Sequence, residues 1–158
     1  MQSADRLATG LEITVRRGLW ARLPRAALRR VAAEILSAEQ LPPDAVVSLT
    51  VVGERAIQRL NRRFRDKDAP TDVLSFPLRT DGFAAPPGEP LQLGDVVLCY
   101  PIAVRQAEEY GHALDREVVY LFAHGMLHVL GYDHEREDER AVMRGKEERA
   151  LDAAGLTR

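Results

Sequence analysis

The sequence predicts an α/β layered domain, with a small four-stranded mixed sheet surrounded by about five helices. Three observations predict it. Short aliphatic and β-branched runs alternate along the chain with longer stretches whose apolar residues recur every three or four positions. Proline and glycine punctuate the boundaries between them. The chain is 158 residues long, 46% hydrophobic and 29% charged, which suits one ordinary soluble globular domain with one core. Strands interleaved with helices bury their apolar faces by layering helices on a sheet.

The elements follow in order. Leu11 to Val15 alternates apolar and polar residues and reads as a strand. Pro24 can open a helix that runs to about Ala38, with Leu28, Val31, Ala32, Ile35 and Leu36 as its buried stripe. Pro42 and Pro43 end that unit, and Val46 to Val52 is a β-branched strand. A helix from about Glu54 to Phe64 comes next, then a third strand from Thr71 to Phe76, closed by Pro77. Thr80 to Leu91, with Gly82, Pro86, Pro87, Gly88 and Pro90, reads as a mobile loop. Leu93 to Cys99 is a strand apolar enough to be buried on both faces. Pro101 starts a short helix to about Gly111, and Asp115 to Leu130 forms a longer one. A charged helix from about Glu135 to Ala154 closes the chain, with Asp133 as a candidate cap. There is no repeat, low-complexity tract or interdomain linker.

Composition narrows the setting. No apolar run approaches the roughly 18 residues that a membrane span needs, and the first residues contain no apolar signal core. A single cysteine, Cys99, excludes an internal disulfide and reads as a buried, inert thiol. A cytoplasmic protein is expected. The net charge of −2 is unevenly spread: residues 1–67 contain 13 Lys+Arg against 7 Asp+Glu, and the remainder is correspondingly acidic. Polyanion binding would therefore be local, through a basic face. The candidates are Arg16, Arg17, Arg22, Arg25, Arg29 and Arg30, together with Arg55, Arg59, Arg62, Arg63, Arg65 and Lys67. Taken singly, each is better explained as a solvated side chain; for the group over residues 55–67 the balance tips to function, because that segment leads directly into the conspicuous block over residues 60–77.

The densest chemistry lies late in the chain. His124, His128 and His134 fall in one short stretch and are three of only four histidines. On a helix, positions four apart share a face, so His124 and His128 can clamp one ion. Gly131 suits the left-handed position just past the helix end, and the turn lets His134 swing back to the same ion. Neutral imidazole is a common ligand of zinc and also of nickel and other transition metals, and three such ligands leave a fourth position open, as in a catalytic site. The spacing matches that of metzincin proteases, but these have a glutamate base after the first histidine, where this chain has Gly125. His112, beside Gly111 at a helix end, is not counted as a ligand.

The run His-Gly-Met-Leu-His-Val-Leu-Gly-Tyr-Asp-His over residues 124–134 resembles the signature of the YbeY family, bacterial single-strand-specific endoribonucleases that mature ribosomal RNA. A second block, from Leu60 through Arg65 and a charged turn to Pro70-Thr71-Asp72-Val73-Leu74-Ser75-Phe76-Pro77, is similar to that family as well, and Gly94-Asp95 with the strand after it is a weaker third match. The blocks keep their order over roughly residues 45 to 150; Ala69 and Val129 depart from frequent family residues without touching a proposed ligand. The resemblance implies that residues 1–158 form one metal-dependent endoribonuclease domain, with zinc held by His124, His128 and His134. Arg65 matches the family's catalytic arginine. The implied role is maturation of small-subunit ribosomal RNA at its 3′ end and ribosome quality control, with single-stranded RNA, ribosomal RNA and the ribosome as partners, and ribosomal proteins as further ones.

The chemistry fits that expectation. A divalent ion can polarise a phosphoryl oxygen and acidify water. A guanidinium can stabilise the charge that builds on phosphorus oxygens through two parallel hydrogen bonds. The alternative for Arg65 is a salt bridge to Asp66 or Asp72. Either a metal-activated water or the RNA 2′-hydroxyl can be the nucleophile. Asp72 and Ser75 are candidate cleft residues or strand formers, and Tyr132 a candidate wall of the site. Two other functions compete: a metalloprotease-like hydrolase, disfavoured by Gly125, and a non-catalytic, metal-stabilised ribosome-assembly factor.

Overall fold

The computed structural model describes residues 10–78 and 88–156. Strands β1 (Leu11–Val15), β2 (Val46–Val52), β3 (Val73–Pro77) and β4 (Gln92–Cys99) form one sheet in the order β1-β2-β4-β3. The pairs β1–β2 and β2–β4 are parallel, and β3 runs antiparallel to β4 at the edge, so the sheet is mixed. Among the described residues there are five helices: α1 (Arg25–Ala38), α2 (Glu54–Arg65), α3 (Tyr100–Tyr110), α4 (Leu114–Val129) and α5 (Glu137–Ala153). None is long and apolar enough to cross a membrane.

The sheet separates two apolar layers. On one face, Val47, Leu49, Val51, Val96 and Leu98 meet α1, α4 and α5 in the main core. On the other, Val52, Val97, Cys99 and Leu74 pack under Ala56 and Ile57 of α2. Val96 and Leu98 face one way and Val97 and Cys99 the other, the period-two alternation of a strand covered on both sides. Cys99 is fully buried, and burial raises its thiol pKa, in keeping with an inert side chain.

Helix α4 is the centre of the main layer. It buries Val118, Val119, Leu121, Phe122, Met126 and Leu127 and packs against β3, β4, α1 and α5. Its approach to the sheet is close at one point. A Cβ on Gly125 would lie 2.6 Å from Val96 Cγ1, 3.2 Å from Val73 Cγ2 and 3.3 Å from Ser75 Oγ. The glycine is there so that the helix can settle onto the β3–β4 pair.

Some boundaries differ from those the sequence suggests. The third strand starts at Val73 rather than Thr71, because Asp72 turns its own carboxylate onto the Val73 N–H, 2.7 Å away. Pro24 caps α1 instead of being its first residue. The last helix begins at Glu137, and its cap is Arg136, whose backbone N–H donates to Glu139 at 3.1 Å. Asp133 does not cap it; its Oδ1 accepts from the neighbouring His134 N–H at 2.7 Å. Of the loop expected over Thr80 to Leu91, residues 80–87 lie outside the described residues.

The close contact sets a first prediction. Gly125→Ala must push α4 off the sheet or displace Val96, and overpacking of this kind costs about 1–3 kcal/mol. Urea unfolding should show that loss with an unchanged m-value; a variant as stable as the parent would mean that the contact is slack.

Candidate metal centre

The end of α4 is built to turn back on itself. Gly131 N–H donates to the His128 carbonyl and Tyr132 N–H to the Leu127 carbonyl, both at 3.0 Å, with Gly131 at φ +102°. This paired closure with a left-handed glycine is the Schellman arrangement. It reverses the chain within three residues, so His134 comes back beside the two helical histidines as the spacing implies.

The three side chains converge. One ring nitrogen from each of His124, His128 and His134 lies within 4.8 Å of the other two. His124 Nε2 and His128 Nε2 are 3.2 Å apart. Tetrahedral zinc with bonds of about 2.0–2.1 Å would place its nitrogens roughly 3.4 Å apart, so the cluster is close to the size needed.

Protonation supplies an independent test of fit. His124 Nδ1 is 2.5 Å from Glu147 Oε2, on α5. The carboxylate accepts from Nδ1–H, which keeps the ring proton on Nδ1 and leaves the Nε2 lone pair free. His128 Nε2 lies 3.2 Å from that nitrogen, so the lone pairs of both rings can meet on one cation. Burial, and then the neighbouring His124 and His134, lower the His128 pKa below its ordinary value and hold the ring in its neutral, ligating form. The donor set therefore fits a divalent metal.

The histidines open onto a cavity of about 490 Å³ lined also by Arg65, Asp72, Ser75 and Tyr120. Arg65 is thus brought to the same cavity as the three histidines. Neither salt bridge considered for it is present among the described residues; its Nη2 donates to the Ser75 carbonyl at 2.7 Å, and its guanidinium lies 5.4 Å from the Phe76 ring centre. Ser75 faces both ways, because its hydroxyl donates to the Gly125 carbonyl at 2.9 Å. Asp72 lines the cavity too, with its carboxylate engaged by Val73 N–H and by the Gln106 amide at 3.3 Å. Buried Asn61 explains part of the second sequence block: its Nδ2 donates to the Ala69 carbonyl at 2.9 Å and holds the turn after Arg65.

One expectation is corrected. Tyr132 is no wall of the site. Its hydroxyl donates to Glu39 Oε1 at 2.5 Å, and Lys146 lies 4.9 Å from its ring centre, so it anchors the turn between α1 and α5. Gly125 makes room for the sheet, and a protease-type glutamate there would collide with Val96. His112 bonds Glu117 Oε1 at 2.6 Å and stays out of the cluster. Of the basic residues, Arg16 and Arg17 meet Arg55 and Arg59 along one shallow groove, whereas Arg22, Arg25, Arg29 and Arg30 line neither that groove nor the histidine cavity. Sequence reading missed Glu147, which sits within a charged run of α5; only its spacing relative to buried Met143, Ala150 and Leu151 marks it as inward-facing.

A family model described as endoribonuclease YbeY matches residues 20–155. An endoribonuclease YbeY of Pelotomaculum thermopropionicum is 52% identical over 131 residues, covering 83% of this chain and 86% of its own. That of Moorella thermoacetica is 48% identical over 136 residues, with 83% and 86% covered. Among solved structures, the solution structure of a Thermotoga maritima protein matches with a TM-score of 0.60 at 25% identity, covering 91% of this chain and 88% of its own.

Two outcomes follow from the site. Glu147→Ala removes the acceptor that orients His124 and should weaken metal binding about 10- to 100-fold, read by competition with a chromophoric chelator; unchanged affinity would show that Glu147 does not orient His124. Because the folded state favours neutral His128, the unfolded chain binds more protons as pH falls below about 6.5. The metal-free protein should therefore lose stability on acidification through that range and regain it as pH rises, and His128→Ala should flatten part of that slope in denaturant titrations.

Proposed function

This chain belongs to the YbeY endoribonuclease family, and on that premise we propose that it is a zinc-dependent, single-strand-specific endoribonuclease of ribosomal RNA maturation. The zinc ligands in this reading are His124, His128 and His134, and Arg65 is the catalytic arginine. The observation that carries it is the meeting of one guanidinium and three imidazoles on a single cavity. Residues 1–158 act as one domain, in the cytoplasm, on single-stranded RNA of the ribosome, where ribosomal proteins would be neighbours.

Each part has a task. A bound zinc ion supplies a Lewis acid for a phosphoryl oxygen and lowers the pKa of water. Glu147 holds His124 in the tautomer that presents Nε2. Arg65 offers its guanidinium edge to the non-bridging oxygens as charge builds on them. The Ser75 carbonyl, accepting from Nη2, and the Phe76 ring hold that edge in place before substrate arrives, so little reorganisation is needed. Arg16, Arg17, Arg55 and Arg59 bind the RNA backbone at a distance from the cut, and that attraction is screened by salt.

The test is cleavage of a labelled single-stranded RNA by the zinc-loaded protein, run beside Arg65→Ala and His128→Ala. Arg65→Ala should slow cleavage about 100- to 1000-fold with metal retained, since one oxyanion-stabilising donor is worth that much. His128→Ala should lose metal and activity together. Equal cleavage by all three would point to a contaminating nuclease and to a non-catalytic assembly factor instead.

A further inference from the structure

A second and larger cavity, of about 970 Å³, adjoins the histidine cavity. The two share Asp72, Tyr120 and Leu121 as a common wall. The second is enclosed by the α3–α4 corner, by α4 and by α5, and its walls carry Tyr110, Arg116, Glu117, Arg144 and Glu148.

One wall is built with a fixed sense. Buried Glu117 accepts from His112 Nε2 at 2.6 Å. His112 Nδ1 is then the acceptor for Arg116 Nη1, 3.4 Å away. This chain holds Arg116 by one end only. Its Nε is buried and has no hydrogen-bond partner among the described residues. A buried guanidinium N–H left in that state is uncommon; Arg116 as a whole is half-buried and lines the cavity, so its accessible N–H groups can meet a further acceptor there.

The lining decides what that acceptor belongs to. Carboxylates of Asp72, Glu117, Glu147 and Glu148 outnumber the guanidiniums of Arg116 and Arg144. Such a balance repels phosphate, which the arginine groove beside α2 attracts. It suits a neutral group with both N–H donors and ring acceptors on its edge. Tyr110 stands at the rim with 60% of its surface exposed, in edge contact with the His112 ring, and Tyr120 lies on the shared wall. An aromatic face beside mixed donors and acceptors is how proteins hold an unstacked base.

We propose that this cavity seats one nucleobase of the RNA strand, adjacent to the phosphodiester at the histidine cavity, with Tyr110 as its stacking face and Arg116 as the donor to its edge. The proposal rests on the endoribonuclease reading and deepens it. A base paired in a duplex reaches such a cavity only by unpairing and unstacking, which costs free energy, so the pocket favours a single strand without any contact that senses strandedness.

The test uses short fluorescent RNA strands in which one abasic nucleotide is walked along the sequence, with zinc-loaded protein and with Tyr110→Ala, an exposed position whose truncation leaves the core intact. With the parent protein, an abasic nucleotide at one position beside the cut should lower kcat/KM about tenfold or more, and elsewhere far less. Tyr110→Ala should lose a similar factor on the intact strand and show little further loss on that abasic strand. Fluorescence anisotropy binding of the same strands reads the pocket without turnover. Cleavage with a flat abasic scan, or an abasic penalty as large in Tyr110→Ala as in the parent, overturns the base pocket and leaves the nuclease standing. Abasic-sensitive binding without any cleavage supports the pocket and removes the nuclease.

Discussion

The contact of Gly125 with the β3–β4 pair fixes the geometry on which the site depends. Helix α4 carries two of the three proposed ligands, and β3 carries the residue that holds Arg65. Where α4 meets β3, Ser75 joins both: its hydroxyl bonds the Gly125 carbonyl and its carbonyl accepts from Arg65 Nη2. The separation of the guanidinium from the imidazoles is therefore set by one residue at one packing contact, with Val96 and Val73 preventing any approach by a larger side chain. A loop-borne arginine would have needed many more contacts to be held as firmly.

A second constraint acts from the opposite side. Glu147 on α5 is 5% exposed, and a buried carboxylate is tolerated only when it is well partnered. Its partner is His124, so the packing of α5 on α4 and the tautomer of a ligand are one interaction seen from two sides. The neighbouring Glu39–Lys146–Tyr132 group ties α1, α5 and the turn after α4 together, with Lys146 Nζ 2.9 Å from Glu39 Oε2. Burial works against the Glu39 carboxylate, but the bonds from Tyr132 and Lys146 outweigh it and lower its pKa. Tyr132 thus serves the site by steadying the turn that returns His134, without facing the cavity itself.

Much of this was legible in the sequence, for reasons that are local. The i, i+4 histidines, the glycine at the left-handed position and the two-sided apolar strand each follow from a periodicity or a backbone requirement within a few residues. The four strands and five helices were readable for the same reason. What escaped were long-range pairings. Glu147 bonds a residue 23 positions away, Tyr132 one 93 away, and Arg65 a backbone carbonyl that carries no side-chain signal. Asp133 looked like a helix cap because it precedes a helix, yet it is spent on the adjacent His134 N–H and the cap falls to Arg136. Tyr132 looked like a site wall because it stands between ligands, although the turn that brings His134 inward sends its neighbour outward.

The uneven charge of the chain takes on meaning once these elements are placed. Arginines near β1 and along α2 gather on one groove, while the carboxylates of α4 and α5 line the cavity on the other side of the shared wall. A net charge of −2 would argue against a polyanion substrate if charge acted as a sum. It does not: fields of surface charges fade over about 8–10 Å at physiological salt, so each face acts largely on its own. A strand whose phosphates lie on the basic side and whose base turns toward the acidic side meets the matching chemistry on both, and it can do so only where the backbone is free to turn. In the proposed reading, the separation of charge that makes the total uninformative is what would give a single strand a preferred path past Arg65 and the histidines.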